Sequence, residues 1–188
     1  MSMRFPAKLR PARPVLVLVG LIWVVELVQQ LSGHWINQTL GLEPRSLGGL
    51  IGIPAMPVLH AGIAHAAANT LPLLILGAMG LLVAPRRFVT ASVAIVIVSG
   101  LGVWLFARGN AIHVGASGLV FGWAAFLIAL GVLERSWRAL AGAGVVVLLY
   151  GGMFWGVLPK TGTSISWEAH LFGAAAGAAT AWLATRRR

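Results

Sequence analysis

Apolar residues run along this chain in long blocks. They form neither the narrow stripe of a soluble amphipathic helix nor the alternation of a half-buried strand. Six blocks approach the ~20 residues that cross a bilayer core: 15–31, 58–82, 88–106, 115–133, 139–158 and 167–184. The pattern predicts an all-α, polytopic membrane protein built as a bundle of six transmembrane helices. The longest connection, 32–57, carries Trp35, Pro44, Pro54 and Pro57 but also Leu47, Leu50, Ile51, Ile53 and Met56. It is too apolar for a free linker and is expected to lie folded against the outer leaflet. The glycines and alanines from Gly173 to Gly177 read as a helix-packing face, not a low-complexity tract.

Composition strengthens the membrane reading. Hydrophobic residues make up 59% of the 188 and charged residues 10%, against roughly 25% charged in a soluble domain. A soluble fold of this size has too little interior to hide that much apolar surface. The net charge of +10 would suggest a nucleic-acid partner in a soluble protein, but its distribution follows topology instead. With the N-terminus inside, Arg4, Lys8, Arg10, Arg13, Arg86, Arg87, Arg135, Arg138, Arg186, Arg187 and Arg188 all fall on the cytoplasmic side. Arg45, Arg108 and Lys160 alone fall outside. That asymmetry places both termini in the cytoplasm with an even number of spans between them. Residues 1–14 then form a basic cytoplasmic segment and no cleavable leader, 15–185 the membrane domain, and 186–188 a basic cytoplasmic end. The basic ends are expected to face anionic lipid headgroups, each Lys or Arg gaining about 1 kcal/mol. No nucleic-acid partner is expected.

The ionisable inventory excludes whole classes of chemistry. Cysteine is absent, and the four acids are all glutamates: Glu26, Glu43, Glu134 and Glu168. Disulfides, thiolate catalysis, paired aspartates and a Ser-His-Asp triad are impossible. No metal is expected, because no HExxH occurs and no acid lies near the histidine cluster. No cofactor is expected either.

Polar residues inside a membrane are costly and mark function by default. Three clusters stand out: His60, His65 and Asn69 at the start of the second helix, Gly115-Ala116-Ser117-Gly118 at the start of the fourth, and His170 at the start of the sixth. In the topology set by charge, these three helices all run inward, so the clusters share one outer depth. Ser117 begins a helix, where free N–H groups and the positive dipole end suit a developing oxyanion. Taken alone, such a serine is more often a cap or a small packing residue. His170 shares its helix face with Gly173 or Ala174, Gly177 and Ala181, a smooth surface that allows close approach to Gly118 and Gly122. It is the candidate base, although a lone histidine bonded to a carbonyl would look the same. His113, four residues before Ser117, is the rival base. Glu168 points off the His170 face and is not taken as a third triad member. His65 and Asn69, four apart on one face, offer an imidazole N–H and an amide as oxyanion donors, or else a polar cap. His60 is rotated off that face and reads as a supporting or water-holding group.

Together the His60-x4-His65-x3-Asn69 pattern, the Gly115–Gly118 GxSG and Ala169-His170-x2-Gly173-x3-Gly177 resemble the rhomboid intramembrane serine proteases of the basic six-helix bacterial type. The resemblance runs from about residue 15 to 184. It implies a serine endopeptidase with Ser117 as nucleophile and His170 as base. His65, Asn69 and the Ser117 N–H would form the oxyanion hole, with His60 and Gly115 in support. It further implies a multi-pass protein of the bacterial plasma membrane whose substrates are single-pass transmembrane proteins, cut near the outer face. Two positions depart from the family pattern. Pro44-Arg45 replaces a frequent Trp-Arg pair in the first outer loop, and Phe121 replaces a tyrosine that packs on the base. A ring at Phe121 can still stack on His170. The fifth helix is the expected gate, because Gly151, Gly152 and Gly156 weaken its outer half beside Phe154 and Trp155. An interfacial aromatic belt is the plainer reading of that pair. Two other functions compete: a catalytically inactive relative that binds transmembrane helices, and a small transporter. Retention of Ser117 and His170 disfavours the first. Apolar inner halves such as Leu73-Leu74-Ile75-Leu76 disfavour the second.

Overall fold

A computed structural model describes residues 12–109, 111–135, 137–159 and 166–186. Among these the chain is an all-α bundle. Helix α1 spans Arg13–Ser32, α2 Trp35–Leu40, α3 Gly52–Ala55, α4 Ile63–Val83, α5 Pro85–Phe106, α6 Ser117–Glu134, α7 Trp137–Tyr150 and α8 Trp167–Arg186. Short 3-10 turns cover Gly48–Ile51, Met56–Val58 and Gly151–Val157. Four helices, α1, α4, α5 and α6, are long and apolar enough to cross a membrane by length and composition. The other two expected spans are present as helices. In α7 the regular helix is short and tightens into the 3-10 turn after Tyr150. In α8 the many alanines and glycines make a long helix of modest hydropathy.

Helix α6 is the centre. Of its apolar window 61% is buried inside the protein, against 22% for α1, and it packs on α8, α7, α5 and α4. The tightest seam is with α8. A Cβ on Gly173 would overlap the Gly118 carbonyl, and one on Gly177 would overlap the Gly122 carbonyl. Glycine is therefore obligatory at both positions, and the two backbones meet directly, as the small-residue face implied. The apolar core around this seam includes Ile95, Trp123, Phe126, Leu130, Leu73 and Leu76. Trp123 stacks obliquely on Phe88 at 4.8 Å and donates its indole N–H to Ser92 at 2.8 Å.

The connection after α1 is folded, in keeping with a composition too apolar for a free linker. It folds into α2, α3 and two 3-10 turns and clamps onto the start of the 107–116 loop. Leu42 and Met56 are buried with Val103, Ala107 and Ala169. Leu42 and His113 form an antiparallel bridge. Arg45, in the left-handed region at φ 60, gives Nη1 to the carbonyls of Ala107 at 2.7 Å and Leu105 at 3.3 Å. Arg45 therefore helps to hold this loop, together with the Leu42–His113 bridge and the Trp104 indole N–H, which bonds the Ser46 carbonyl at 2.8 Å.

Candidate active site

Ser117 is the first residue of α6. Its Oγ lies 2.9 Å from Nε2 of His170, which sits in the first turn of α8. The Gly118–Gly173 contact brings these two helix starts together. His170 is buried, and the Phe121 ring stacks flat on it at 4.1 Å with 6° between the planes. Its other nitrogen, Nδ1, lies 2.9 Å from the Gly156 carbonyl oxygen. A carbonyl only accepts, so in the neutral ring Nδ1 carries the proton and Nε2 accepts from the Ser117 hydroxyl.

His65 and Asn69 line the same cavity as Ser117 and His170, a space of about 930 Å³ also walled by Tyr150 and Pro72. His65 Nδ1 accepts the Ala61 N–H at 3.4 Å, which leaves Nε2–H as a donor. Gly115, at φ 121, lies directly against this ring: a Cβ there would come within 2.7 Å of His65 Cε1 and 2.9 Å of Nε2. Only glycine suits both the backbone angle and the approach. Asn69 Nδ2 bonds back to the His65 carbonyl at 3.0 Å, which fixes the amide and leaves its second N–H.

His60 precedes α4, just outside the helix in which the apolar block had placed it. It is fully buried, its ring meets His65 edge-on at 4.9 Å, and Nε2 accepts the Ala116 N–H at 3.4 Å. Burial pulls its imidazole down to about 4, so it is a neutral acceptor at pH 7. Its carbonyl takes Asn37 Nδ2 at 2.8 Å and Gln29 Nε2 at 3.4 Å. Reading the sequence missed Gln29 and Asn37. The available signal was polarity: Gln29 continues an apolar block, and buried it needs a partner.

His113 does not approach the pair as a base. Nδ1 meets Ser166 Oγ at 2.7 Å, and its backbone is bridged to Leu42. Burial lowers its proton affinity, partly offset by the Arg108 carbonyl. Glu168 pairs with Arg108 at 3.4 Å, away from His170. Trp155 is 70% exposed. The Phe154 side chain, and residues 160–165 of the connection that follows, lie outside the described residues. Toward the other end of α4 and α6 the core closes with Leu73, Leu76, Phe126 and Leu130, all fully buried.

An all-α bundle with four long apolar helices defines a multi-pass membrane protein, and Ser117, His170, His65 and Asn69 line its cavity. The particular family is shown by sequence: the Rhomboid domain model matches residues 48–187. The chain belongs to the rhomboid family. It is also 42% identical over 177 residues to the uncharacterized protein Rv1337 of Mycobacterium tuberculosis, covering 90% of this chain and 73% of that one. The uncharacterized protein ML1171 of Mycobacterium leprae is 37% identical over 176 residues, covering 90% and 69%.

Proposed function

We propose that the protein is an intramembrane serine endopeptidase working through a Ser117–His170 dyad. The observation that carries this reading is the 2.9 Å contact between Ser117 Oγ and a His170 Nε2 whose other nitrogen is already satisfied. Ser117 Oγ attacks the scissile carbonyl carbon while its proton moves to His170 Nε2. The tetrahedral oxyanion is taken up by the Ser117 N–H, His65 Nε2–H and Asn69 Nδ2–H. His170 then protonates the leaving amine, an acyl-enzyme remains on Ser117, and water deprotonated by His170 releases it. His60 and Gly115 support the site by holding the Ala116 N–H and the His65 ring.

The substrates are single-pass transmembrane proteins, cut near the outer face where a helix unwinds. A helical peptide bond is shielded and hydrogen-bonded in place, so unwinding precedes attack. The charge asymmetry supports residues 1–14 and 186–188 being cytoplasmic, and the rhomboid family together with the mycobacterial relatives supports a bacterial plasma membrane location.

Asn69→Ala tests the oxyanion assignment. Loss of one donor typically costs ~10²–10³ in rate. Turnover of a transmembrane substrate in liposomes is expected to fall by that order with KM little changed, and unchanged turnover would make Asn69 a structural cap. Access is tested separately. The segment after α7 is a 3-10 turn rich in glycine with Trp155 outward, which supports its role as the side that loosens. Phe154→Ala with Trp155→Ala is expected to raise cleavage of a membrane-embedded substrate several-fold and to alter cleavage of a water-soluble peptide much less. Equal effects on both substrates would remove this segment as the gate.

A further inference from the structure

The base is held by an element other than its own. His170 belongs to α8, whereas the oxygen that receives its Nδ1–H belongs to Gly156, in the 3-10 turn that follows α7. In a triad that oxygen would come from a carboxylate. Here the nearby acid is occupied: Glu168 faces Arg108 at 3.4 Å and Ser166 at 3.5 Å. The local fit depends on glycine. A Cβ at 156 would sit 3.0 Å from Phe121 Cζ and 3.1 Å from His170 Nδ1, so a larger residue would push against the stacked pair that the carbonyl serves.

We propose that the Gly156 backbone carbonyl is the positioning group of the dyad, filling the place of a third triad member by fixing the tautomer and plane of His170. This rests on the reading of Ser117 and His170 as nucleophile and base. Without an acceptor at Nδ1 the ring populates the other tautomer, in which Nε2 carries a proton and cannot receive one from Ser117. Because the carbonyl is part of the Gly151–Val157 turn, the orientation of the base follows the position of that turn.

A backbone oxygen is tested by changing the backbone. Replacing Val157 by its α-hydroxy acid turns the Gly156–Val157 amide into an ester, a weaker acceptor at the Gly156 oxygen, and keeps every side chain. The control is the α-hydroxy acid of Leu158. It deletes the N–H that bonds Trp155 O at 3.3 Å and leaves the Gly156 amide intact. Two readouts are taken on the full chain: the rate at which a fluorophosphonate labels Ser117 from water, and the ¹⁵N spectrum of the His170 ring. The Val157 ester is expected to slow labelling about tenfold, equivalent to ~1.4 kcal/mol, and to shift the ring from Nδ1–H toward Nε2–H. The Leu158 ester is expected to label within about twofold of the unmodified protein, well under 1 kcal/mol. Unchanged labelling and tautomer in the Val157 ester, with the unmodified protein labelling normally, would overturn this inference and leave the dyad standing. Equal loss in both esters would overturn it too, by tracing the effect to the turn's own bonding. An unmodified protein that does not label would overturn the dyad reading beneath it.

Discussion

Alanine at Ser117 is expected to abolish cleavage of a transmembrane substrate while the protein stays folded. The hydroxyl lies in the cavity 2.9 Å from His170 Nε2, the nitrogen left to accept its proton. Removing the nucleophile of a serine protease costs on the order of 10⁴–10⁶ in rate. The fold has little stake in the change. The α6 N-cap is Ala116, with no side-chain cap bond, and alanine is the best helix former. Gel-based cleavage in liposomes, beside circular dichroism and thermal unfolding of the same preparation, measures both halves. Wild-type cleavage by a folded Ser117→Ala protein would sink the mechanism.

The second large effect separates two histidines. His170→Ala is expected to lose activity by a similar factor, since dyad members act as a unit. His113→Ala is expected to keep most of it. The imidazole of His113 meets Ser166 at 2.7 Å and its backbone bonds to Leu42, so its loss loosens a loop contact and spares proton transfer. Some loss of thermal stability is expected there, because Ser166 forfeits a buried partner. Activity retained in His170→Ala and abolished in His113→Ala would reverse the assignment of the base.

Much of the architecture was legible because the bilayer imposes length. Apolar blocks of ~20 residues can only be spans, and the ends of α1 and α5 fall close to where composition placed them. The glycines of α8 announced their contact with Gly118 and Gly122 because only small residues allow backbones to touch. The three polar clusters were legible as costs that a membrane helix does not carry without use.

What escaped depended on backbone geometry and on partners far along the chain. The block at 58–82 suggested a helix through His60, but Gly62, at φ 135, starts α4 later and leaves His60 in the preceding turn. The fifth block looked like one helix with weak glycines, and it ends as regular helix at Tyr150 before tightening. The bonds from Asn37 and Gln29 to the His60 carbonyl cross 23 and 31 residues, and no local pattern signals them. Arg45 could be noticed, but its hold on the Leu105 and Ala107 carbonyls could not. Gly156 was read as a point of weakness, while its carbonyl is the partner of His170 Nδ1. A main-chain oxygen has no letter in a sequence.

The central claim is that Ser117 is a nucleophile activated by His170, and covalent labelling tests it without any knowledge of the natural substrate. The reconstituted protein is treated with a fluorophosphonate, digested, and mapped by mass spectrometry, with His170→Ala and Ser117→Ala in parallel. The expected result is one phosphonyl adduct, on Ser117, formed at least ~10²-fold faster than in His170→Ala, as general-base assistance requires, and absent in Ser117→Ala. An adduct on another residue, or equal labelling of Ser117 with and without His170, would contradict the account.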